Sequence, residues 1–329
     1  MTHLLRAELA RVRARPLVWL VSAGVVLGVL GLVLSGWWES RPPSPAQVAA
    51  AGEAYRADLA AWQALVAPCD EDDPSVHPDL PPAEAVAACT SRPPTPEQYV
   101  AVRPDVSSLV TERLPSVGVM ITLGCLMLGV GLVTSEFASG AMGTWLTFAP
   151  RRGRVFVSRL ASAVVAAVPC VAAPLVTLVV ALLAVGVVNG LPVGEPAGGW
   201  GDLLGVTGRW LAVGPAFAAV GVGLAFALRH AAAVTGVAVW WVAATESALP
   251  LVLPESRWLP LSTNVTAWTT GSAHYVVPSC VPDPARAGEE LCEPVLHTVA
   301  AGQGALVVLV VVALALVGGW LSFRLRDVA

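Results

Sequence analysis

Six blocks of about 20 mainly apolar residues constrain this 329-residue chain more than any other feature of its sequence. Runs of that length can cross the hydrocarbon core of a bilayer as helices. Only 13% of the residues are charged, whereas soluble globular domains carry about 25%. The composition also excludes a disordered chain, a small disulfide-stapled protein and a collagen-like fibre. We therefore expect an all-α integral membrane protein with six transmembrane helices.

The lengths of the apolar blocks set the limits of the predicted spans. The spans cover residues 16–38, 116–134, 155–188, 209–228, 231–251 and 304–323. Pro169 and Pro174 predict a kink or break in the third span, because each proline removes a backbone donor. Residues 1–15 hold four arginines and one acid, with leucines at near-helical spacing. This pattern predicts a cytoplasmic interfacial helix before the first span.

Polar segments connect the spans. Residues 39–115 contain twelve acids, thirteen prolines and two cysteines, and are too long for a tight connection. They predict a small extracytoplasmic domain or lid, with a helix from about Gln47 to Val66. Residues 252–302 form a second extracytoplasmic loop. The remaining polar segments are short: residues 135–154 between the second and third spans, the Gly- and Pro-rich residues 189–207, the turn at 229–230 and the C-terminal tail, 324–329.

The distribution of arginine predicts that both termini are cytoplasmic. The chain has 19 arginines and no lysine. With the N-terminus inside, the inner segments carry eleven arginines against three acids, and the outer segments hold eight against twenty. This asymmetry follows the positive-inside rule. The absence of lysine also disfavours ATP hydrolysis by a P-loop in this chain. Heavy use of Ala, Val, Gly and Arg is typical of a GC-rich bacterial genome and favours a bacterial plasma membrane.

Four cysteines form two local pairs in the outer loops. The pairs are Cys69 with Cys89 and Cys280 with Cys292. Even pairs on the oxidising side of a membrane predict two disulfides. A metal site is the alternative, but no CxxC or His-Cys spacing supports it. Cys125 and Cys170 lie inside spans and are interpreted as small apolar residues.

The segment between the second and third spans carries the strongest functional signal. Glu136 ends an apolar span, where it could cap helix amides or pair with an arginine. Trp145 and Phe148 are apolar residues on a short cytoplasmic piece, which suggests that they dock on something. An ordinary interfacial connector with a tryptophan anchor explains the same residues equally well. The glycines in this segment do not form a Walker A loop, since the lysine is missing.

Five residues of this segment resemble the inner loop of ABC-2 type permeases, the membrane subunits of many bacterial ABC exporters. That loop has an acid at the end of the second span, a Gly-Thr pair, and Pro-x-Arg before the third span. The matching residues here are Glu136, Gly143, Thr144, Pro150 and Arg152. The basic N-terminal segment, the six spans and the Phe-x-x-Arg-Asp pattern at 323–327 are also similar to that family. The first outer loop is longer than in its simplest members.

The resemblance implies a coupling helix that presses into a separate ATP-binding subunit. The residues implied in coupling are Glu136, Phe137, Gly140, Gly143, Thr144, Trp145, Phe148, Pro150, Arg151 and Arg152. ATP and magnesium would be bound by the partner subunit, so this chain would be no enzyme and would hold no cofactor. The other implied partners are a second permease copy or a sister permease and membrane lipid, without nucleic acid.

Three other functions compete with an exporter subunit. A secondary transporter needs ionisable residues deep in several spans, and this sequence has almost none. A membrane-embedded enzyme needs clustered His, Asp or Ser residues near a membrane face, and the sequence shows no such cluster. A non-catalytic assembly or sensor protein, whose outer loops bind a partner, fits the paired cysteines equally well. Glu246, near the outer end of the fifth span, is a candidate substrate or gating residue, because acids within spans are usually functional.

Overall fold

Six helices are long and apolar enough to span a membrane in the computed structural model of the chain. The structure describes residues 14–69, 81–100, 103–148, 151–196, 199–282 and 290–326. In chain order its helices are α1 (Pro16–Glu39), α2 (Pro45–Val66), α3 (Pro82–Cys89), α4 (Val106–Ala138), α5 (Ala141–Phe148), α6 (Arg152–Asn189), α7 (Gly199–Leu228), α8 (Ala231–Val252), α9 (Leu261–Thr270) and α10 (Ala301–Leu325). The six long apolar helices are α1, α4, α6, α7, α8 and α10. The chain is therefore mostly helical, as the sequence predicts. The predicted interfacial helix at 1–15 lies almost wholly outside the described residues.

Two of the long helices begin well before their apolar blocks. α4 starts at Val106, whereas its apolar block starts at residue 116. The carboxylate of Asp105 caps this helix by accepting from the backbone N–H of Ser108 at 2.7 Å, which satisfies a donor that the helix leaves unpaired. α7 starts at Gly199 rather than near residue 209. The first outer segment is correspondingly shorter than predicted.

α6 runs unbroken from Arg152 to Asn189 and passes through Pro169 and Pro174. A break at these prolines is therefore wrong, and the alternative, a kink, stays a prediction. α6 packs against α1, α4 and α7, and neighbouring helices allow a spanning helix to tolerate an interior proline. The helix ends instead at Gly190, whose φ of 64° lies in the left-handed region that glycine adopts without strain.

α7 occupies the centre of the bundle, between α4, α6 and α10. Two of its glycines allow the backbones to approach closely. A Cβ on Gly221 would lie 2.3 Å from the carbonyl oxygen of Leu126 in α4, and a Cβ on Gly223 would lie 2.4 Å from that of Ala315 in α10. Small residues at such crossings are the usual means of packing helices inside membranes. α8, by contrast, is loosely packed against the bundle, since Val234 is its one buried residue.

The bundle has two chemically different ends. We call one the arginine-rich end, where Arg15, Arg152, Arg229 and Arg326 lie. The guanidinium of Arg152 donates to the carbonyl of Phe323 at 2.8 Å, and that of Arg229 donates to the carbonyl of Arg326 at 3.3 Å. These bonds tie the starts of α6 and α8 to the end of α10.

We call the other one the disulfide end. There the amide nitrogen of Asn189 donates to the carbonyl of Trp37 at 3.0 Å, and Arg113 forms an ion pair with Glu39. These contacts join the end of α1, the start of α4 and the end of α6. The two segments that leave the bundle at this end carry the two disulfides, Cys69–Cys89 and Cys280–Cys292. The structure thus places both predicted cysteine pairs at bonding distance.

The first of these segments contains α2 and α3, and α2 confirms the helix expected near 47–66. The indole N–H of Trp62 donates to the hydroxyl of Ser91 at 3.0 Å, which holds α2 against the residues after α3. The hydroxyl of Tyr99 donates to the carboxylate of Asp58 at 2.7 Å. These contacts give the segment a small folded unit at the disulfide end.

The second segment departs from an all-α fold. It contains an antiparallel hairpin of β1 (Ser272–Pro282) and β2 (Glu290–Ala300), in which Cys280 faces Cys292. An isolated two-stranded hairpin is marginally stable in water. Here the disulfide closes its far end, and at its base Ala273 and Val299 pack on Ala267 of α9. The sequence predicts only a loop in this segment.

Candidate functional site

A buried carboxylate lies at the arginine-rich end, where three helices meet. Glu136 is two residues from the end of α4, and its side chain is only 5% exposed. One carboxylate oxygen accepts from Arg15 at 2.7 Å, and the other lies 2.8 Å from a guanidinium nitrogen of Arg159. Arg15 directly precedes α1 and Arg159 belongs to α6. A single side chain therefore links α1, α4 and α6.

The two arginines differ in how far water reaches them. The side chain of Arg159 is 5% exposed, whereas that of Arg15 is 25% exposed and also donates to the carbonyl of Leu132 at 2.8 Å. Removing water from a charged group costs several kcal/mol unless a partner of opposite sign compensates. Glu136 is the carboxylate that compensates Arg159 within the described part of the chain. Among the described residues, the cluster therefore contains two guanidinium groups and one carboxylate.

The short helix α5 contacts this cluster through one side. The guanidinium of Arg159 lies over the indole of Trp145, with 5.3 Å between its carbon and the ring centroid. Such cation–π contacts are worth about 2 kcal/mol when desolvated. Met142 is fully buried and packs in the core of the bundle. α5 is therefore fixed to the bundle by a buried thioether and by a ring beneath a buried charge.

The opposite side of α5 faces away from the bundle. Thr144 and Thr147 are exposed, and a Cβ at Gly143 would meet no atom within 4 Å. Gly140 allows α5 to turn away from α4, because its φ of 70° is open to glycine at little cost. The side chains of Leu146 and Phe148, and all of Pro150, lie outside the described residues. The outward side of α5 is thus open to a partner.

A cluster of aromatic rings connects the helices beside the charged cluster. The ring of Phe226 in α7 lies 5.9 Å from Phe137, 4.9 Å from Phe156 and 4.8 Å from Phe323, between ring centroids. These rings belong to α4, α6, α7 and α10. The family resemblance selects Phe137 and includes Phe323 in the pattern at 323–327, whereas Phe156 and Phe226 are missed. Nothing in the local sequence marks them, since they come together only in the tertiary structure.

The remaining predicted coupling residues have separate positions. Arg152 donates to the carbonyls of Phe323 and Arg326, so its charge compensates the last turn of α10. Arg151 precedes α6 and is exposed. The structure thus brings Glu136 and Trp145 together around Arg159, which sequence analysis does not select. An arginine at the start of a span resembles an ordinary interfacial anchor, so no local signal distinguishes it.

Glu246 lies at the disulfide end of α8, in a π-helical stretch from Val242 to Ala248. Its carboxylate accepts from the backbone N–H of Leu261 at 2.7 Å and from that of Ser262 at 3.1 Å. It also accepts from the Ser262 hydroxyl and from the Trp241 indole. Glu246 therefore caps the start of α9 and ties the loosely packed α8 to it. A role in substrate binding or gating stays a prediction.

The comparisons with known proteins give no family for this chain. No protein-family model matches it, and no curated protein or solved structure is significantly similar to it. Its function is therefore inferred from its own residues and their geometry.

Proposed function

We propose that the chain is the membrane-spanning permease subunit of an ABC-2 type exporter, driven by ATP that a separate subunit hydrolyses. The observation that carries the proposal is α5, a short helix between two spanning helices that is fixed on one side and open on the other. Its fixed side contacts Arg159, whose charge is paired with Glu136. A partner that displaced the open side of α5 would act directly on α4 and α6.

The charged cluster offers a route for that displacement into the membrane helices. Glu136 and Arg159 connect α5 to α4 and α6, and Arg15 extends the connection to α1. Packed helices change arrangement between discrete states rather than continuously. Movement of α5 would therefore favour one of two arrangements of the bundle. ATP and magnesium would remain on the partner, and a second permease copy or a sister chain would complete the pathway.

The proposal places the arginine-rich end in the cytoplasm and the disulfide end outside a bacterial plasma membrane. Among the described residues, the arginine-rich end holds eight arginines and one acid, Glu136. The arginines are Arg15, Arg151, Arg152, Arg154, Arg159, Arg229, Arg324 and Arg326. The positive-inside rule favours this orientation. Disulfides at the opposite end suit an oxidising compartment.

Gly143→Arg tests the docking surface, because a Cβ at this position would meet no atom within 4 Å and the fold can accept a side chain there. We expect the tagged wild-type chain, isolated in mild detergent, to retain a stoichiometric ATP-binding subunit identified by mass spectrometry. The arginine should reduce retention at least tenfold, which corresponds to about 1.4 kcal/mol of lost binding.

Gly52→Arg is the matched control. Gly52 is half-buried like Gly143, also has open space around it, and lies in α2 at the other end of the protein. This variant should retain the partner fully. If the wild-type chain is isolated without an ATP-binding subunit, or with only a partner of its outer segments, the exporter proposal fails. The assembly or sensor function would then be preferred.

The orientation is tested by labelling intact cells with a membrane-impermeant thiol reagent. After mild reduction, Cys69 and Cys280 should react from outside, because both lie in segments that extend from the bundle at the disulfide end. A cysteine introduced by Arg154→Cys, at an exposed position of the arginine-rich end, should react only after the membrane is opened. The reverse pattern would overturn the orientation, and it would do so whether or not the chain binds an ATPase.

A further inference from the structure

Two adjoining cavities lie beneath the first turns of α7 at the disulfide end. The first, of about 130 Å³, lies between α4, α7 and α9. The second, of about 230 Å³, lies between α4, α6 and α7. Leu114 and Leu203 line both, so the two cavities meet at these side chains. Together they reach the lower end of the size range of ligand pockets, about 300 Å³.

The two cavities differ in chemistry. We call the first the polar cavity because four threonines and Asp202 are among its lining residues, although most of its surface is apolar; the threonines are Thr111, Thr266, Thr269 and Thr270. The second is lined mainly by leucine and valine side chains of α4 and α6. Val176 and Val180 belong to its wall and are 61% and 59% exposed, on the outside of a spanning helix. The aliphatic cavity therefore opens toward the lipid phase, and the polar one lies toward the membrane surface.

Trp210 in the wall of the polar cavity has an unused hydrogen-bond donor. Its side chain is buried, and its indole N–H has no partner among the described residues. Leaving a buried donor unpaired costs about 1–3 kcal/mol. Because Trp210 lines the polar cavity, this unpaired donor lies close to a ligand bound there.

The start of α7, beside both cavities, is loosely packed. Gly201, Gly205 and Gly208 lie there in open space, so packing does not require glycine at these positions. Each glycine makes a helix less stable by about 1 kcal/mol relative to alanine. Leu204 in the same turns is 73% exposed. The first turns of α7 are therefore loosely packed and intrinsically less stable as a helix than an alanine-rich segment.

We infer that the two cavities form a binding site for a single-chain amphiphile with an uncharged, hydroxylated head, such as a monoacylglycerol. The acyl chain lies against the leucine and valine wall, and the head lies among the threonines. The carboxylate of Asp202 accepts from a head hydroxyl and repels an anionic head. Arg209 lines neither cavity, and its guanidinium is directed to the carbonyls of Trp268 and Thr269. The inference requires only the membrane-embedded fold and is independent of the exporter proposal.

The test uses a monoacylglycerol that carries a diazirine on its acyl chain, with the full-length chain in phosphatidylcholine nanodiscs. After irradiation, adducts should map to residues 175–180 and 203–207. Unlabelled monoacylglycerol should compete at least fivefold better than a fatty acid of the same chain length, because a lost or repulsive hydrogen-bonding contact costs about 1 kcal/mol. Asp202→Asn should narrow that difference, which a merely structural role of Asp202 would not do.

Val179→Trp, which fills the aliphatic cavity, should reduce labelling about fivefold or more. Val187→Trp is the matched control, since Val187 lies on the same helix, is 85% exposed and lines neither cavity. Adducts spread evenly over the lipid-facing surface, or labelling that Val179→Trp leaves unchanged, would overturn the inference. Equal competition by the fatty acid in the wild-type chain, a measurement that needs no variant, would overturn the proposed head group.

Discussion

Glu136→Leu is expected to lower the free energy of unfolding by about 3–5 kcal/mol, because it removes the carboxylate that is paired with the buried guanidinium of Arg159. The side chains of Glu136 and Arg159 are both 5% exposed. Most of the loss should come from Arg159, since Arg15 is partly exposed and can turn to water. The change is measured by titrating the purified chain in detergent micelles with denaturant and monitoring its unfolding by intrinsic tryptophan fluorescence.

Two further variants distinguish a buried charge from a general loss of contacts. The double variant Glu136→Leu with Arg159→Leu should recover much of the stability, because removing both partners of a buried pair is often nearly neutral. Glu39→Leu breaks the ion pair with Arg113 at the disulfide end, where Glu39 is 56% exposed, and should cost at most about 1 kcal/mol. Equal effects of Glu136→Leu and Glu39→Leu would contradict the buried-charge interpretation.

Gly319→Leu is expected to destabilise the protein by about 3 kcal/mol, because it forces α7 and α10 apart. A Cβ at Gly319 would lie 2.3 Å from the carbonyl oxygen of Gly223. The obstructing atom belongs to the backbone, so a change of side-chain rotamer cannot relieve the contact. The detergent-micelle unfolding experiment reports this loss, and fluorescence-detected size exclusion should show less monodisperse protein.

The neighbouring residue supplies the control. Gly318 is exposed on the same helix, and a Cβ there would meet no atom within 4 Å. Gly318→Leu should therefore leave the stability unchanged or raise it slightly, since leucine favours helix more than glycine does. A loss in Gly318→Leu as large as that in Gly319→Leu would indicate that both substitutions disturb insertion into the membrane rather than the crossing of α7 and α10.

The charged cluster could be predicted only in part from the sequence. Glu136 stands out because it is an acid at the end of an apolar block, and pairing with an arginine is among its expected contacts. Which arginine it pairs with depends on the packing of α1 and α6 against α4. Arg15 and Arg159 are 121 and 23 residues away along the chain, and local patterns carry no information on such pairs. The same holds for the rings around Phe226.

For Glu246 the sequence marks the residue, but the contacts that explain its position were not expected. Its position within an apolar block marks it as unusual, and the structure gives it four donors from Trp241, Leu261 and Ser262. Three of these donors belong to the start of α9. Sequence analysis predicts only a loop there, so the capping of α9 could not be expected.

The sequence by itself determined the number and approximate positions of the long apolar helices, because bilayer thickness converts directly into a run of apolar residues. It also determined the cysteine pairs, since each pair is close along the chain. The tertiary structure decided which faces of those helices meet. Gly318 and Gly319 are equivalent in the sequence, yet only Gly319 lies against another backbone. Lipid and protein are both apolar surroundings for a membrane helix. Hydrophobicity therefore does not distinguish the face that contacts lipid from the face that contacts another helix, and only the packing of the helices does.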